Sequence, residues 1–116
     1  MNSQNTGFWQ ALDKLLAESE IVIDRARGSA HPRFQELVYP LDYGYLKGTS
    51  SPDGEGIDLW LGSGEKRICG AICTVDLVKK DSEIKLLIGC SEEETGKALA
   101  VHNSSPLMKG ILIPRE

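Results

Sequence analysis

With 116 residues the chain can build one compact domain around a single core, and it is too short for two independently folding ones. Its 41% hydrophobic and 26% charged residues exclude wholesale disorder, and the net charge of −4 opposes a polyanionic partner such as nucleic acid. No apolar stretch is long enough to cross a bilayer, and the N-terminal residues lack the basic start, apolar core and cleavage site of an export signal, so a cytoplasmic protein without membrane contact is the expectation.

In chain order, Phe8, Trp9, Leu12, Leu15 and Leu16 recur at helical spacing, which predicts an amphipathic helix over residues 7–18 with Asn5 or Thr6 as its cap. Residues 20–25 alternate like a strand and stop at Gly28-Ser29. A short strand at 37–39 should lead into a turn through Pro40, Asp42 and Gly44, and 48–56 should be a polar, glycine-containing loop. Residues 57–61 form a compact apolar run, the pattern of a buried strand. A strand over 68–78, a turn at 79–82 and a return strand at 83–89 predict a hairpin. Ser91 followed by Glu94 is a capping box, opening a helix over about 92–102. Together these elements predict a mainly β, α+β domain: an N-terminal helical extension (1–19), a small barrel (20–90), and a C-terminal helix and tail (91–116).

Candidate chemistry gathers in three places. Asp53-Gly54-Glu55-Gly56-Ile57-Asp58 sets three carboxylates within six residues, either as a solvated acidic turn or as oxygen ligands that a hard divalent cation would relieve of mutual repulsion. Glu83 and Lys85 are two apart on one strand and share a face, where they could serve a metal and a phosphate or simply pair with each other. Tyr39, Tyr43 and Tyr45 cluster around Gly44, and Arg25, Arg27 and Arg33 flank a glycine turn, but neither group specifies a reaction by itself. Gly62-Ser63-Gly64-Glu65-Lys66 is too short for a phosphate-binding loop, no GxSxG elbow is present, and His31 and His102 have no nucleophile at a recognisable spacing. Cys69, Cys73 and Cys90 lack both disulfide-framework and zinc-ribbon spacing and fit a reducing compartment.

The run Tyr39-Pro40-Leu41-Asp42-Tyr43-Gly44-Tyr45, then Thr49, then Asp53-Gly54-Glu55-Gly56-Ile57-Asp58, resembles the signature of the soluble family I inorganic pyrophosphatases, YPxNYGY followed by DGDPxDV. Asp24, Gly28-Ser29 and Arg33-Phe34-Gln35 upstream, and Glu83-Ile84-Lys85 downstream, are similar to further elements of that family, so that the likeness spans roughly residues 21–89. It implies a distorted five-stranded OB-like barrel. It also implies Mg²⁺ held by Asp53, Glu55, Asp58 and Glu83; catalytic roles for Asp58, Tyr43 and Lys85; phosphate contacts from Arg33, Lys85 and Tyr43; and Asp24 and Tyr39 around the same cavity. The implied reaction is Mg-dependent hydrolysis of inorganic diphosphate, with self-association into a homo-oligomer left open. Glu55 stands where the family has Asp, Gly56 where it has Pro, and Gln35 where it has an acid. Between Gln35 and Tyr39 a segment bearing a phosphate-binding arginine is missing, and no tyrosine–lysine pair follows Gly89. The alternative is therefore a catalytically impaired relative that binds a metal–phosphate ligand or a protein partner.

Overall fold

The N-terminal apolar stripe becomes helix α1, Ser3–Ala17, in a computed structural model that describes residues 3–52 and 54–116. The helix starts earlier than its sequence pattern suggested, so Asn5 and Thr6 lie inside it rather than capping it. Trp9 and Leu12 are buried on its inward face, with Leu16 packed beside them.

Strand β1, Glu20–Arg25, pairs antiparallel with β2, Asp42–Lys47. This corrects the expectation of a strand at 37–39 and a turn around Gly44: the earlier segment contributes only an isolated bridge between Ala30 and Val38, and Tyr43-Gly44-Tyr45 is extended. The reason is steric. A Cβ on Gly44 would run into the Val22 carbonyl across the ladder, so glycine permits a close approach of β1 that any other residue would prevent, while the flanking tyrosines favour the pleated conformation.

β3, Ile57–Leu61, continues the sheet antiparallel to β2 and pairs in parallel with β5, Asp81–Ile88. β5 forms the expected hairpin with β4, Ile68–Asp76. Helix α2, Glu92–Val101, opens on the predicted capping box: Ser91 Oγ accepts from the Glu94 amide, and the Glu94 carboxylate accepts from Ser91 N–H. The tail then forms β6, Met108–Pro114, antiparallel to β4. The spatial order is β1-β2-β3-β5-β4-β6, a six-stranded mixed sheet that is not closed, in place of the expected five-stranded ring. Because β6 takes the outer ladder of β4, β1 and β6 are left as the two edges.

Each face of the sheet carries its own core. Leu59, Ala71 and Leu86 face one way, against Trp9 and Leu12 of α1; Trp60, Ile72 and Leu87, their chain neighbours, face the other, against Tyr39, Leu41 and Ala98 of α2. Burial on both sides explains why these strands are continuously apolar rather than alternating. Arg115, just beyond β6, donates to both Asp13 oxygens at 2.7 and 2.8 Å and ties the C-terminal strand to α1. Among the described residues, no helix is long and apolar enough to cross a membrane.

Candidate functional site

The strand register brings polar side chains to the face that carries α2. Tyr45, Asp58 and Lys85 are Cα partners across β2, β3 and β5, so they share a face, and Tyr43 and Glu83, each two residues away, join them. Near the cluster that face is closed by aromatic rings: Trp60 meets Tyr43 edge-on at 4.6 Å, and Tyr39 packs against both at 5.8 and 5.9 Å.

Within this pocket of rings the polar groups are interlocked. Tyr43 Oη donates to Asp58 Oδ2 at 3.0 Å. Lys85 Nζ donates to the same Asp58 oxygen at 2.7 Å and to Glu83 Oε2 at 2.8 Å, and it lies 5.9 Å from the centre of the Tyr43 ring. The side chains of Lys85 and Glu83 are only 9% and 7% exposed, whereas Asp58 is 23% exposed and forms the mouth of the cluster. Burial works against the Lys85 charge, but Tyr43, Asp58 and Glu83 outweigh it and push the ammonium above its ordinary range, so it stays protonated. Burial, reinforced by Asp58 and opposed by Lys85, pushes the Tyr43 phenol up, so it remains a proton donor. Glu83 Oε1 is buried and has no hydrogen-bond partner.

Of the other residues implied by the family likeness, Tyr39 borders the cluster. Tyr39 is a buried packing partner of Tyr43, its ring also stacked on His31. Asp24 is exposed at the bulge where the β1–β2 register shifts. Arg33 is exposed in the 26–38 connection, where its amide donates to His31 Nδ1 at 3.0 Å, and it is not among the groups bonded to the cluster. Glu55 is exposed in the loop before β3, and Asp53 lies outside the described residues. That loop is pinned at its base by Thr49, whose hydroxyl donates to Leu46 O at 2.7 Å and accepts from Ile57 N–H at 2.9 Å. Gly54 and Gly56 within it have φ of 82° and 110°, values that strain any residue with a side chain. Among the described residues no three His, Cys, Asp or Glu side chains gather as a ready metal site; Asp58 and Glu83 are a pair bridged by Lys85.

Sequence reading passed over Trp60 and gave His102 no partner. His102, at the C-terminal end of α2, is buried; its Nε2 accepts from Trp60 Nε1 at 3.0 Å, and its Nδ1 lies 3.4 Å from Met108 Sδ. Burial, with Lys85 nearby, lowers its pKa to about 4, so the imidazole is neutral and holds the indole that backs Tyr43. The two residues are too far apart in the chain for any local motif to join them. Two open depressions, about 320 Å³ beside Cys69, Cys90 and Glu94 and about 420 Å³ beside Asp13, Arg67 and Arg115, lie apart from this cluster. In comparisons with known proteins, no family model and no curated protein matches the chain.

Proposed function

We propose that the protein hydrolyses inorganic diphosphate with Mg²⁺ as cofactor, through the cluster of Tyr43, Asp58, Glu83 and Lys85. The observation that carries this reading is the unpartnered Glu83 Oε1, since a buried carboxylate oxygen with no donor is costly unless a ligand completes it. Carboxylate oxygen is the donor that a hard divalent cation takes, so the chemistry of the cluster fits Mg²⁺. Asp58 and Glu83 would hold it together with Asp53 and Glu55 from the preceding loop. Bound there, Mg²⁺ would lower the pKa of a water molecule and offset the charge of the diphosphate.

The chain's own groups divide the remaining work. Lys85, fixed in its charged form, would place a cation against phosphoryl oxygens, where most phosphoryl-transfer catalysis arises. Tyr43 and Lys85 both bond Oδ2 of Asp58 and so fix its rotation, leaving Oδ1 as the oxygen that would face the metal, nearest the attacking water. Trp60 and Tyr39 hold the Tyr43 ring in place. An OB-like reading of the fold goes with this proposal and is supported by the order β1-β2-β3-β5-β4 with its parallel β3–β5 pair, β6 being added on the outer side of β4. Three free cysteines support a reducing, cytoplasmic setting.

Phosphate release from diphosphate should require Mg²⁺, and Asp58→Asn should remove nearly all of it; unchanged turnover in that variant sinks the assignment. A second reading, a binder without turnover, is favoured by the fact that Lys85 is already held by two carboxylates. Calorimetric binding of Mg²⁺ and diphosphate without phosphate release would select it.

A further inference from the structure

Cys69 and Cys90 are far apart in sequence but meet at the margin of the α2-facing core. Cys69 sits at the bulge where the β4–β5 register shifts between Ile68 and Gly70, which turns it into the same cluster as Cys90 while Ile68 faces α1. Cys90 follows Gly89, whose φ of 63° swings the chain away from β5 toward α2. Both residues are half-buried and line the open depression of about 320 Å³, with Arg67 and Glu94 on its rim.

We propose that Cys69 and Cys90 form a hydroperoxide-reactive dithiol, with Cys69 as the attacking sulfur and Cys90 as the resolving one. The Cys69 thiolate attacks one peroxide oxygen, the O–O bond breaks, and the leaving alkoxide or hydroxide takes a proton, producing a sulfenic acid. The Cys90 sulfur then attacks the Cys69 sulfur, the S–O bond breaks, and water departs as the disulfide closes. The hydroperoxide is reduced by two electrons and the two thiols are oxidised by two.

The local bonding fits this division. The Cys90 thiol beside Cys69, aided by the backbone and by Arg67, holds the Cys69 thiol below its ordinary range, while the same contact, burial and Glu94 push Cys90 up. Cys69 Sγ donates to Leu87 O at 3.3 Å, whereas the contacts of Cys90 Sγ with Ile88 O and Trp60 O are long at 3.6 and 3.9 Å. Both cysteines line the depression, which is open to a molecule as small as a peroxide. Cys73 is an internal control: it pairs with Ile84, whose side chain packs on the α1-facing core, so it lies on the other side of the sheet from the pair.

The test uses the reduced full chain and hydrogen peroxide. Intact mass should fall by two hydrogens, and peptide mapping should link Cys69 to Cys90. Iodoacetamide at neutral pH should alkylate Cys69 at least about tenfold faster than Cys73. In Cys90→Ser, Cys69 should stop as a sulfenic acid that a dimedone-type reagent traps. Absence of the 69–90 link in the wild-type chain overturns the proposal, whether peroxide leaves the thiols unreacted, drives Cys69 to the sulfinic acid, or links Cys73 instead. Equal alkylation of Cys69 and Cys73 overturns it as well. The wild-type measurements do not depend on any variant folding.

Discussion

Lys85 is the cation on which the buried polar cluster depends. Lys85→Met would leave Asp58 and Glu83 facing each other with no counter-charge at two sites largely closed to water, and removing one partner of a buried ion pair typically costs about 3–5 kcal/mol. Urea unfolding should read that loss; a change below about 1 kcal/mol would show that solvent already screens the pair. Tyr43→Phe should be milder, about 1 kcal/mol, because Asp58 keeps its bond to Lys85 and only the phenol contact is lost. Much at this scale was legible in the sequence. The two-residue spacing of Glu83 and Lys85 put them on one face, and the acidic run singled out Asp58. Only the family likeness put residues 43, 58, 83 and 85 in one site; residue spacing did not, since their contact requires the β2–β3–β5 register, and the parallel β3–β5 pairing joins strands separated by a complete intervening strand.

Among the elements, α2 was the most legible, because a capping box is a local device: its donors and acceptors lie three residues apart. Ser91→Ala should cost about 1 kcal/mol in thermal or urea unfolding. Glu94→Ala should cost more than Ser91→Ala, since that carboxylate also accepts from the Ser63 amide at 3.1 Å and anchors the β3–β4 connection to the helix. β2 was least legible. Pro40, Asp42 and Gly44 are turn formers in isolation, yet Gly44 serves a strand crossing, which only the neighbouring Val22 carbonyl reveals. Gly44→Ala should therefore destabilise by at least about 3 kcal/mol or abolish soluble expression, where a true turn glycine in a permissive conformation would lose far less. β6 escaped notice for a related reason: Ile111 and Leu112 are exposed neighbours on an edge strand and lack the alternation that marks a half-buried one.

For the whole molecule, the buried titratable groups predict that stability falls off at both low and high pH. His102 has a folded pKa of about 4 against an ordinary 6.5, so the stability it contributes is complete above about pH 6.5 and is lost as pH falls toward 4, on the order of 3 kcal/mol in all. Tyr43 and Lys85 are shifted upward from ordinary values of 10.0 and 10.5, so their contribution is complete below those values and is lost at higher pH, where the unfolded chain gives up protons that the folded chain retains. In thermal unfolding across pH, His102→Asn should flatten the limb between pH 6.5 and 4; an unchanged limb would mean that other groups set it. The sequence by itself determined what chemistry was present and most of the local structure, because period-two and helical patterning, capping and turn preferences act within a few residues. Only the tertiary structure decided that the sheet stays open with β6 on its edge, that Tyr43 lies on a strand, that Trp60 bonds His102, that Lys85 bonds Asp58 directly, and that Cys69 and Cys90 line one depression. Those contacts arise from strand pairing and from packing on both faces of one sheet, and such pairing joins residues by register rather than by distance along the chain.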